Sequence, residues 1–112
     1  MRQNILTLKP CPDGRADHGL IQADDATTTT LDLPRGALLH FDRRRRPAAA
    51  DIVLAEHLLG DGMTRSLRRF AQAEGVVSLA RIDGRAGTVV RPRYEVGILG
   101  VVDGHIVPLD CA

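Results

Sequence analysis

Glycine, proline and aspartate cut the apolar residues of this 112-residue chain into short runs, and no window sustains a helical repeat for long. Runs of this length suit strands. The expectation is therefore a mostly β fold: a compact, antiparallel, hairpin-rich arrangement within one domain spanning residues 1–112. Residues 1–18 read as an irregular arm and residues 19–109 as the β core.

Residues 37–42 (ALLHFD) and 51–57 (DIVLAEH) are the clearest strands. In the second, Ile52 and Leu54 fall on one face and Val53 and Ala55 on the other, as expected of a central strand covered on both sides. The Gly-Asp-Gly sequence at 60–62 signals a hairpin leading into 63–70 (MTRSLRRF), although Met63, Leu67 and Phe70 also fit a helical spacing. Further strands are expected at 76–81, 88–90, 94–102 and 106–109, separated by DGRAG and DGH turns. Residues 5–8 read as an edge strand ended by Pro10 and Pro12, and 19–22 as a short extended piece. Four consecutive threonines disfavour helix, so ATTTTLDLPRG (26–36) reads as a loop. The alanines at 48–50 are the only candidate for a helical turn.

Composition narrows the function classes. Fifteen basic side chains stand against 14 acidic ones, a net charge of +1, without the overall field of a dedicated nucleic-acid binder. No apolar stretch approaches the roughly 20 residues that span a bilayer, and the N-terminus lacks a signal-peptide core, so a cytoplasmic location is expected. Cys11 and Cys111 are expected to be free thiols. His18, His40, His57 and His105 are widely spaced, without the close pairing of zinc motifs, and neither a metal nor another cofactor is expected.

The segment LPRGALLHFDRRRRPAAADIVLA (33–55) resembles the pattern L-x-x-G-D-x-V-x-V-D, a variable connection, then G-D-I-V-x-A, found in the C-terminal domains of LexA-type repressors and in UmuD. Gly36, Leu38, Asp42, Asp51, Ile52, Val53 and Ala55 carry the match. MTRSLRR then stands where the family has T-V-K-R-L, and YEVGILGVVDGHI resembles its closing strand. The likeness spans about residues 20–107. It implies the family's β fold and a self-cleaving site, in which a serine in a Gly-Asp-Ser-Met turn attacks the backbone and a lysine removes its proton.

Carried onto this chain, the resemblance puts Thr27 at the nucleophile position, with Ala26 and Thr28 as neighbouring candidates and Asp24 or Asp25 echoing the family aspartate. The base position falls on Arg65. A guanidinium does not deprotonate in proteins, so Arg65 cannot accept a hydroxyl proton, and no lysine follows Lys9. Pairing of Arg65 with Asp24 or Asp25 is one expectation, and a plain exposed arginine the other.

A catalytically inactive interaction module is therefore the leading reading, with a link to the SOS response or repressor regulation implied by the resemblance. Homodimerisation through the C-terminal strand is expected, with residues 97, 98, 101, 102 and 106 (Gly97, Ile98, Val101, Val102, Ile106) as the interaction segment. With no helix-turn-helix region upstream, the expected partners are proteins such as a repressor or a UmuC-like polymerase. The alternative is a self-cleaving Ser/Thr-type peptidase using Thr27 or Thr28 with His40 or His57 as base. A third reading is a nucleic-acid contact through Arg43, Arg44, Arg45 and Arg46, although a charge run of this kind more often forms a solvated turn.

Overall fold

In the computed structural model, residues 8–10, 18–34 and 36–106 are described. Eight strands form a single antiparallel sheet: β1 (Leu8–Pro10), β2 (His18–Gln22), β3 (Leu38–Asp42), β4 (Ile52–Leu59), β5 (Gly62–Ala73), β6 (Val76–Ala80), β7 (Val89–Pro92) and β8 (Val96–Ile106). Their order across the sheet is β1-β2-β3-β8-β4-β5-β6-β7. The β class and the hairpin-rich antiparallel pairing are thus as the apolar runs implied. No helix of the described residues is long and apolar enough to cross a membrane.

The hairpin turns follow local chemistry. Gly60 adopts φ +62 between β4 and β5, and Glu74 and Gly75 adopt φ +53 and +78 between β5 and β6, conformations that match the right-handed twist of paired strands. Alternation along β4 then sorts the core. Leu54 joins Ile21, Leu39, Phe41 and Leu67 on one face, while Val53 and Ala55 join Phe70, Val77, Leu79, Val96 and Val101 on the other. β4 is indeed covered on both faces, with Val53, Leu54 and Ala55 fully buried. β5 pairs with β4 over Gly62–Arg69 and with β6 over Arg69–Ala73, so residues 63–70 are strand and not helix.

Three local expectations differ from the structure. Within the threonine run, Asp25–Thr30 forms a short helix, α1, because Asp24 caps it: its Oδ1 accepts a hydrogen bond from the Thr27 N–H at 2.7 Å. Burial of Thr27 and packing of Leu31 and Leu33 against the first cluster outweigh the low helix propensity of threonine. Residues 48–50 do not form a helical turn of the α type. Ala48 N–H donates to the Asp51 carboxylate and Ala50 takes φ +69, closing a tight turn into β4. Finally, the DGH sequence does not break the last strand. β8 runs through it, absorbing Asp103 as a bulge against β3, where His40 pairs with Gly104 and Phe41 with Val102.

β1 falls within the stretch expected to be an irregular arm and pairs with β2 at the sheet edge. The strand expected at 106–109 is described only at Ile106, as the end of β8. Residues 5–7 of the expected first strand and both cysteines lie outside the described residues.

Candidate functional site

The N-terminus of α1, the middle of β5 and the turn after β6 enclose a cavity of about 250 Å³. Ala26 and Thr27 line it from the helix, Thr64 to Arg68 from the strand, and Arg81, Ile82 and Asp83 from the turn, with Asp24 at its margin. The nucleophile and base positions implied by the resemblance, Thr27 and Arg65, therefore border one cavity. Thr28 does not join them. It faces a separate concavity with Asp25, Thr29, Asp32 and Leu33, and its hydroxyl donates to the Asp25 carbonyl at 3.0 Å.

Arg65 is directed elsewhere than expected. It lies directly opposite Glu56 in the β4–β5 register, and its Nε and Nη2 donate to Glu56 Oε2 at 3.1 and 2.6 Å. The Asp24 carboxylate is engaged in capping α1, and Asp25 lies in the first helical turn outside the cavity lining. The Glu56 partner was within reach of the sequence, because a two-residue turn at 60–61 fixes every cross-strand pair of the hairpin.

Of the remaining charges of the cavity, Arg81 and Asp83 pair with one another. Arg81 forms a fork on Asp83, with Nε to Oδ1 at 3.1 Å and Nη2 to Oδ2 at 2.8 Å. These bonds, with the Arg85 N–H, hold the Asp83 carboxyl down at about 2 and raise Arg81. Burial, and then the neighbouring Arg81, lower Arg68, which donates to Ser66 Oγ and to the Gly87 carbonyl. The lining thus holds hydroxyls, guanidiniums and carboxylates but neither amine nor imidazole.

The imidazoles proposed as alternative bases lie away from it. His57 is buried on β4; the Leu58 carbonyl 3.1 Å away accepts from its Nδ1, and Nε2 has no partner. His40 sits on β3 beside His18 and Asp103, a grouping that the spacing of these residues in the sequence conceals. Strand register alone brings them together.

The basic run is an exposed connection between β3 and β4. Arg43 lies over the Phe41 ring, 5.6 Å from its centroid, and the Arg44 N–H donates to Asp42, which lowers the Asp42 carboxyl. Of the expected interaction segment, Val101 is fully buried, Ile98 and Val102 are partly buried and Gly97 and Ile106 are exposed. β8 lies inside the sheet, and β4 pairs with it over Val96–Val101 and β3 over Val101–Ile106. Pairing with a second copy along its whole length is therefore precluded. Among the described residues, no strand flanks 103–106 on the side opposite β3.

Neither the protein-family models nor the curated proteins provide a match to this chain.

Proposed function

We propose that this chain is a LexA/UmuD-like domain that has lost self-cleavage and serves as a dimerising protein-interaction module in the cytoplasm, connected with repressor or SOS-type regulation. One observation carries the reading: the two positions that would perform cleavage, Thr27 and Arg65, border the same cavity, and its lining holds neither amine nor imidazole, while its two carboxylates are engaged elsewhere, Asp24 in capping α1 and Asp83 in the fork with Arg81. Peptidase chemistry through Thr27 or Thr28 lacks this support, since His40 and His57 line neither threonine's concavity.

Two surfaces favour interaction. Among the described residues, the 103–106 end of β8 has one backbone edge that another strand can extend, with Ile106 exposed beside it. At the tip of the β4–β5 hairpin, Leu58, Leu59 and Met63 are all more than half exposed, an apolar group suited to a protein partner such as a repressor or polymerase. The four arginines, in a segment (42–50) that contains no aromatic residue, add little to a nucleic-acid reading.

Sedimentation equilibrium over a wide concentration range tests the module. A concentration-dependent homodimer weakened by Ile106→Glu is the expected result. A monomer at the highest concentration removes the dimer.

A further inference from the structure

The geometry points to a transition-metal site on the sheet face that carries His40, in which His18 Nδ1 and His40 Nε2 hold a divalent ion such as zinc or nickel and Asp103 orients His40 from behind. The site is independent of the interaction reading. It is assembled from three strands. His18 on β2 and His40 on β3 belong to cross-strand pairs two positions apart, which puts both on one face of the sheet, and the β8 bulge turns Asp103 toward the same group.

The distances fit a coordination shell. His18 Nδ1 and His40 Nε2 lie 3.2 Å apart, and two nitrogens bound tetrahedrally at zinc–nitrogen lengths would be separated by about 3.3 Å. At its other nitrogen, His40 Nδ1 meets Asp103 Oδ1 at 2.5 Å; the carboxylate can only accept, so Nδ1 donates and Nε2 is the nitrogen that faces His18. A carboxylate behind a ligating imidazole fixes the ring and raises its basicity, an arrangement that recurs in histidine metal sites. One ligand atom from each of the three residues falls within 4.8 Å of the others. Asp42, opposite His18 in the register, places a second carboxylate beside the group and adds to its attraction for a cation. His40 and Asp103 retain 22% and 26% side-chain exposure, which leaves a path for the ion and room for water as the remaining ligands. Two imidazole nitrogens select borderline ions over magnesium or calcium.

Calorimetric titration of the full, tag-free chain with zinc and with nickel, alongside thermal melting, tests the site. One ion per chain and a raised melting temperature are expected, with no response to magnesium. His18→Gln and His40→Gln should each weaken binding at least tenfold, and Asp103→Asn by about 10- to 100-fold. His105→Gln, exposed at another register position of β8, should bind as the wild type does. Circular dichroism checks that each variant folds. Should His40→Gln not fold, Asp103→Asn and the cobalt spectrum decide, since the proposed ligands give no thiolate-to-metal charge-transfer band. No uptake, unchanged affinity in His18→Gln, or a thiolate band placing the ion on Cys11 or Cys111 would overturn the assignment.

Discussion

Arg65 and Glu56 face one another across the β4–β5 hairpin, the guanidinium 2.6 Å from the carboxylate, at the edge of the cavity that Thr27 borders. The pair is partly exposed, with 39% of the arginine side chain open to solvent, so its contribution to stability is small, about 0–1 kcal/mol. Its geometric effect is larger, because two hydrogen bonds to Glu56 Oε2 fix where the side chain at position 65 is directed.

This gives the first prediction. Wild type and Arg65→Lys should both retain their intact mass after prolonged incubation at alkaline pH, because Glu56, directly opposite position 65, would draw a lysine side chain into the same cross-strand pair. Mass spectrometry reads the outcome directly. Cleavage in Arg65→Lys alone would mean that the cavity is a working active site lacking only its base.

The Arg81–Asp83 fork predicts an acid dependence. With the folded carboxyl at about 2 against 3.8 when unperturbed, the ionised form stabilises the fold fully above about pH 4, and this stabilisation is lost as pH falls toward 2. Asp83→Asn should flatten the melting temperature against pH over that interval. Parallel curves for the two proteins would remove the fork from the acid response.

Phe41 makes the third prediction. Its ring packs against Gly19 and Gly100, and a Cβ at either position would lie 2.4 Å from a ring carbon, well inside van der Waals contact. Gly100→Ala should therefore cost about 1–3 kcal/mol in urea unfolding through displacement of a fully buried aromatic. Gly104→Ala, where the added carbon meets nothing within 4 Å, provides the comparison.

His57 makes the fourth. It is 1% exposed, and its Nε2 has no hydrogen-bond partner, a buried polar atom that an apolar side chain of similar size would eliminate. His57→Leu should be as stable as the wild type or more so by chemical denaturation. A loss beyond about 2 kcal/mol would show that the imidazole is satisfied in solution.

Legibility in the sequence followed the range of the forces involved. β3, β4 and the 60–61 turn were readable because alternation at Ile52, Val53, Leu54 and Ala55 and the glycines flanking Asp61 are local signals. α1 was not, since β-branched Thr27 to Thr30 argue against helix locally while Asp24 and the burial of Thr27 decide for it. Asp103 and Gly104 resemble a turn, yet pairing with His40 from far upstream draws them into β8 as a bulge. The candidate cavity was half legible. Resemblance named Thr27 and Arg65, but Arg81 and Asp83, which shape its charge, come from a turn that carries no motif.

Because β8 lies between β3 and β4, it is the keystone of the sheet: among the described residues, no other strand bridges the β1–β3 ribbon to the β4–β7 ribbon. Leu54 and Phe41, which share one core cluster, thus stand on halves joined only through β8 among the described residues, and pairings this distant in sequence are of the kind that slow folding.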